Sequence, residues 1–184
     1  MSGARGVRLF VAVDPPAEVR EALAGWAREG LGTGGPRLVA PAMLHVTLAF
    51  LGSRPAAEAA AVARLALGCA RPVPELEIGA PLWLPPRRPR VVAVSVLDGD
   101  GQLGELESDV AGALSAELGV PRERRRFRPH VTVARTRAGS ESGRAGSLPP
   151  TPRLSFAAES LTLYRSRLSP SGAVYEPLER VALA

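Results

Sequence analysis

Leu44-His45-Val46-Thr47-Leu48-Ala49-Phe50-Leu51-Gly52 decides the reading of this chain, because its tetrapeptide returns as His130-Val131-Thr132-Val133. These are the only two histidines in 184 residues, and Thr occupies just six positions. Two accidental His-x-Thr occurrences on that composition are roughly a one-in-a-thousand event. Both stretches are strand-like, and residues two apart on a strand point the same way, so each imidazole stands beside its Thr hydroxyl. Strict alternation assigns His45, Thr47 and Ala49 to one face and Val46, Leu48 and Phe50 to the other.

The flanks repeat as well. Arg8-Leu9-Phe10-Val11-Ala12-Val13 reads as a buried strand. Asp14 reads as the cap of a helix with Pro15 at its first position, carried by Val19, Leu23 and Trp26 and ended by the glycines of 30–35. Gly52 closes the motif strand, and Pro55 opens an Ala-rich helix to about Ala70. In the second half, Arg90–Val96 is a strand and Asp98-Gly99-Asp100-Gly101 a turn. Leu103, Leu106, Val110, Ala113 and Leu114 then mark a helix ending near Gly119, before the strand that starts at His130. Strand, helix, motif strand thus occurs twice at nearly equal spacing, which predicts two similar lobes about a pseudo-twofold axis with the motif strands facing across a cleft. Pro85–Pro89 and Arg122–Arg128 read as arginine-rich loops, and Thr136–Pro152 as a Gly/Ser/Pro-rich connection. Leu154–Tyr164 and Ala173–Ala182 read as closing strands.

Composition narrows the function. All 23 basic residues are Arg, Lys and Asn are absent, and the net charge is +5. Guanidinium groups grip phosphate in two-point fashion, which suits an anionic ligand; genome bias toward Ala, Arg, Gly and Pro accounts for much of the same composition. Without lysine the chain cannot carry AMP on a lysine or build a P-loop. The single cysteine, Cys69, excludes an intrachain disulfide and fits a reducing compartment. No apolar run approaches a membrane span of about 20 residues, and Met1–Arg8 lacks a signal-peptide core. The expectation is a soluble, cytoplasmic, monomeric protein.

Two His/Thr pairs face to face would form a box of two imidazoles and two hydroxyls that fits a phosphodiester. The hydroxyls would bond the non-bridging oxygens while one imidazole activates water and the other protonates the departing oxygen. Two His on separate strands supply too few ligands for a closed zinc site, and a Ser-His-Asp triad would leave one His unexplained. No metal or cofactor is therefore expected. Phe10, Trp83 and Tyr164 are candidate stacking surfaces for a base, although core packing suits Phe10 and Trp83 as well. Arg126 and Arg128, in the run before His130, read either as solvated loop residues or as contacts to an RNA backbone. Simple alternation puts Arg135 on the face opposite His130, unless the strand bulges.

Three segments carry a family resemblance: Arg8–Val13, Leu44–Gly52 and Phe127-Arg128-Pro129-His130-Val131-Thr132-Val133-Ala134-Arg135. With the tail segment Leu163–Pro170, they make the chain resemble, over nearly its whole length, the two-histidine phosphoesterases, in particular the RNA 2′,3′-cyclic phosphodiesterase or 2′-5′ RNA ligase branch. The resemblance implies an α+β fold over residues 1–184, bilobal, with antiparallel sheets and outer helices around a central cleft. It implies metal-independent opening of a ribonucleoside 2′,3′-cyclic phosphate to a 2′-phosphate, with His45 as general acid and His130 as general base. It also implies Thr47 and Thr132 gripping the phosphate and Arg135 binding it, against the simple pleat argument. The alternatives are an ATP-independent 2′-5′ RNA ligase or 2′-5′ phosphodiesterase, and an RNA-end-binding module with little turnover.

Overall fold

The computed structural model describes residues 6–31, 36–86, 88–136, 147–169 and 172–183. Its strands are β1 (Val7–Asp14), β2 (Arg37–Leu38), β3 (Val46–Arg54), β4 (Leu76–Leu84), β5 (Val91–Asp98), β6 (His130–Arg135), β7 (Ser155–Phe156), β8 (Ser160–Ser169) and β9 (Gly172–Ala182). The α-helices among the described residues are α1 (Ala17–Gly30), α2 (Ala59–Leu67) and α3 (Gln102–Leu118). All strands join one curled antiparallel sheet in the order β7-β4-β5-β6-β3-β1-β8-β9, and β2 pairs with the far end of β6.

That order is the predicted duplication in space. Either side of the β6/β3 seam stands a motif strand, then the strand that opened its half, β5 or β1. The two lobes are the two halves of this sheet, and the α+β, bilobal expectation holds; the motif strands, expected to face each other across a cleft, are instead sheet neighbours paired through Val46 and Val131. Alternation sends Leu9, Val11 and Val13 of β1 and Val92, Val94 and Val96 of β5 to one face, where all are buried. Val19, Leu23 and Ala27 of α1, Val62 and Ala66 of α2, and Leu103, Leu106, Val110 and Leu114 of α3 pack into the same core. Each such side chain, taken from water, contributes roughly 1.5–3 kcal/mol if large. The opposite sheet face is left for chemistry.

Several local expectations are corrected. Asp14 does not cap α1: the N-cap is Pro16, with no side-chain hydrogen bond, and Pro15 lies outside the helix. As the last residue of β1, Asp14 alternates with Ala12 and points away from the helices. The cap device occurs instead at α3, where Asp98 accepts hydrogen bonds from the N–H groups of Leu103 (3.2 Å) and Gly104 (2.8 Å), and where Gly119 ends the helix at φ +61°. Gly52 does not end β3; it takes φ +68° and the strand runs on to Arg54. The Ala-rich helix begins with a 3₁₀ turn and stops at Leu67.

The segment Leu154–Tyr164 is two strands on opposite flanks of the sheet, β7 against β4 and β8 against β1. The crossing is held by Ala158 N–H to the Val73 carbonyl and Glu159 N–H to the Asp14 carbonyl, both 2.9 Å. Strand β4 was not legible, because Gly79 and Pro81 interrupt its pattern; Pro81 sits at an irregularity in the β4/β5 ladder, where a missing N–H is tolerated. The glycine-rich stretch after Gly30 and the connection after Thr136 lie largely outside the described residues.

Candidate active site

Strands β3 and β6 pair through Val46 opposite Val131. Continuing that antiparallel register sets His45 opposite Thr132 and Thr47 opposite His130, so the two motifs interleave across the seam. Each imidazole is held in the same way. His45 Nδ1 is 2.7 Å from the Met43 carbonyl oxygen, and His130 Nδ1 is 2.8 Å from that of Arg128. A carbonyl only accepts, so in both rings Nδ1 carries a proton and Nε2 is the working nitrogen. Neither Nε2 has a hydrogen-bond partner among the described residues.

The bulges are duplicated too. In the β1/β3 ladder Ala12 faces Thr47 and Val11 faces Ala49, leaving Leu48 as an extra residue. In the β5/β6 ladder Ala93 faces Thr132 and Val92 faces Ala134, leaving Val133 extra. Each motif strand therefore bulges one residue past its Thr, and the pleat parity flips beyond that point. Ala49 and Ala134 turn to the core, and the residues five past each His, Phe50 and Arg135, come to the site face. This corrects the assignment of Phe50 to the opposite face and resolves the parity conflict at Arg135.

A pocket of about 480 Å³ adjoins His45, lined by Phe10, Phe50, Tyr175, Arg8, Arg135 and Ser166 among others. Phe10 links it to the motif, its ring centroid 5.0 Å from that of His45. Tyr175 stands edge-on to both rings, at 5.0 Å from Phe10 and 5.3 Å from His45, and its hydroxyl accepts a 2.9 Å hydrogen bond from Arg135 Nη2.

Tyr164 lies behind this pocket and not in it. It is only 5% exposed, is stacked on Phe10 at 5.1 Å, and donates its hydroxyl to Asp14 at 2.8 Å. The open aromatic surfaces are instead Phe50, 76% exposed, and Tyr175. Trp83 packs against the main core. Arg126 and Arg128 are exposed beside the seam, and the Arg128 backbone holds His130.

Asp14, like Tyr175, is a site residue that sequence reading missed. It is 1% exposed and accepts from Thr162 (2.6 Å), Tyr164 (2.8 Å) and Ser160 (2.9 Å), with Arg180 at 3.5 Å. The β1/β3 register, Val13 against Val46, sets Asp14 beside His45; the matching neighbour of His130 is Ser95. The twofold is thus broken by charge next to one histidine. Burial pushes the His45 pKa below its ordinary value; the Met43 carbonyl and the Asp14 carboxylate pull it up, while Arg135 and His130 push it down. Among the described residues no three His, Cys, Asp or Glu side chains converge as a metal site.

A curled antiparallel sheet with two His-x-Thr strands at its centre defines a two-histidine phosphoesterase fold. The family model described as the 2′-5′ RNA ligase superfamily matches residues 10–169, and the chain belongs to that superfamily. It is 34% identical to the RNA 2′,3′-cyclic phosphodiesterase of Escherichia coli K12, with 96% of each chain covered. It is 35% identical to the Thermus thermophilus protein of the same name, covering 96% of this chain and 90% of that one. The crystal structure of E. coli LigT complexed with 3′-AMP superposes with a TM-score of 0.80 at 32% identity, covering 97% of this chain and 98% of that chain.

Proposed function

We propose that this protein is a metal-independent RNA 2′,3′-cyclic phosphodiesterase. The observation that carries the reading is the pair of imidazoles at one seam, each with Nδ1–H bound to its own backbone and Nε2 unpartnered. With a cyclic phosphate between them, His130 Nε2 takes a proton from water as the oxygen attacks phosphorus. His45 Nε2 gives a proton to the departing 3′ oxygen, and the product carries a 2′-phosphate and a free 3′ hydroxyl. Thr47 and Thr132 donate to the non-bridging oxygens, and Arg135 offsets the charge that builds on them. The Asp14 carboxylate beside His45, where His130 has the Ser95 hydroxyl, supports His45 as the acid, because the anion favours the imidazolium against the burial that lowers the His45 pKa overall. With an RNA 5′ hydroxyl attacking phosphorus in place of water and the 3′ oxygen departing as before, the same pair would form a 2′-5′ phosphodiester without ATP.

Arg126 and Arg128 are the contacts for the RNA backbone, since both guanidinium groups are exposed and without ion pairs among the described residues. No helix among the described residues is long and apolar enough to cross a membrane. The lone thiol of Cys69 supports a cytoplasmic place. The scattered exposed apolar residues Leu38, Leu97 and Val174 support a monomer, which light scattering would check.

The test uses an RNA ending in 2′,3′-cyclic phosphate with chelator present. Hydrolysis to the 2′-phosphate should fall about 10² to 10⁴-fold in His45→Ala and in His130→Ala. Replacing the 3′ bridging oxygen with sulfur removes the need for an acid and should rescue His45→Ala but not His130→Ala. Binding without turnover by the parent protein would leave only an RNA-end-binding module.

A further inference from the structure

We infer that the pocket beside the histidines selects guanine as the terminal base, with Arg8 and Ser166 reading its edge; this rests on the phosphodiesterase reading for placing the ribose. Arg8 and Phe10 alternate on β1 and face the same way, about 7 Å apart along the strand. Phe10 touches His45, so Arg8 lies at the end of the pocket away from the cyclic phosphate. Ser166 is the cross-strand partner of Arg8 on β8 and lines the same end.

The guanidinium of Arg8 has no ion pair or side-chain hydrogen bond among the described residues, and the Ser166 hydroxyl has none either. The neighbouring arginines are engaged: Arg135 with Tyr175, Arg165 with Glu176, Arg180 with Asp14.

The open walls between His45 and Arg8 are the rings of Phe50 and Tyr175, over a floor formed by the buried Phe10. Such walls fit the flat face of a base and not a hydrated phosphate. A base held there, with its ribose toward the histidines, presents its far edge to a group that can only donate. Guanine offers O6 and N7 side by side, which a guanidinium meets with two parallel hydrogen bonds. Its N1–H has the Ser166 hydroxyl as acceptor. Adenine would set its amino group against the Arg8 donors, and a pyrimidine is shorter by one ring.

The experiment compares kcat/KM on four RNAs differing only in the base that carries the cyclic phosphate, and binding of guanosine against adenosine 2′-phosphate by calorimetry. The parent protein should favour guanine over adenine by about 10-fold or more. Arg8→Met should bring that ratio to within about twofold of one. Arg8→Lys should do the same, because an ammonium cannot make the two-point contact. Equal turnover of guanine and adenine ends by the parent overturns the inference. So does an Arg8 variant that loses rate equally on all four ends, which would mark a backbone-phosphate contact. Selective nucleotide binding without hydrolysis would count against the phosphodiesterase reading while leaving the base selection standing.

Discussion

At the scale of single residues, the two histidines are alike in tautomer and differ in neighbour. Both present Nε2 because both commit Nδ1 to the carbonyl two residues back. Only His45 has a carboxylate beside it, and that carboxylate raises its pKa against the lowering by burial. Replacing Asp14 by Asn should therefore lower the His45 pKa further. If His45 is the acid, the alkaline limb of the bell in kcat/KM then moves to lower pH while the acidic limb stays. A pH–rate profile of Asp14→Asn reads this directly, and an unmoved alkaline limb would reduce Asp14 to a purely structural acceptor. Asp14 was not legible as a site residue because the Asp-Pro-Pro that follows β1 has the composition of a helix start, and nothing local shows which way its carboxylate points.

At the scale of elements, alternation read the first four residues from each His correctly and then failed at the same place in both. The extra residues Leu48 and Val133 are set by the ladders with β1 and β5, and a ladder is a property of two strands. The second device at this scale is the α3 start. Asp98 closes the orphan N–H groups of Leu103 and Gly104 from outside the helix, so Asp98→Ala should cost about 1 kcal/mol in urea unfolding with activity kept.

At the scale of the whole molecule, one face of a single sheet buries the core and the other assembles the site from β1, β3, β6, β8 and β9. The Asp14 network couples that site to stability. Burial, with the Asp14 charge and hydrogen bond, pushes the Tyr164 phenol up to about 12 from its ordinary 10. Below pH 10 the phenol keeps its proton in both folded and unfolded chains, and its contribution is fully present. Between pH 10 and 12 the unfolded chain loses the proton and the folded chain holds it, so stability falls as pH rises. Urea midpoints measured from pH 9 to 12 should drop over that window, and Tyr164→Phe, less stable at pH 9, should lose the slope.

The sequence by itself determined the duplicated strand-helix-strand plan, the pairing of the only two histidines with two threonines, and the absence of lysine chemistry. These are local in the chain and readable from period and composition. Only the tertiary structure decided that Phe50 reaches the site, that a bulge is what turns Arg135 toward it, that Asp14 sits beside His45, and that Tyr175 arrives from the last strand to hold Arg135. Each depends on which strands pair and in what register, and register is fixed by burying one face of the whole sheet at once.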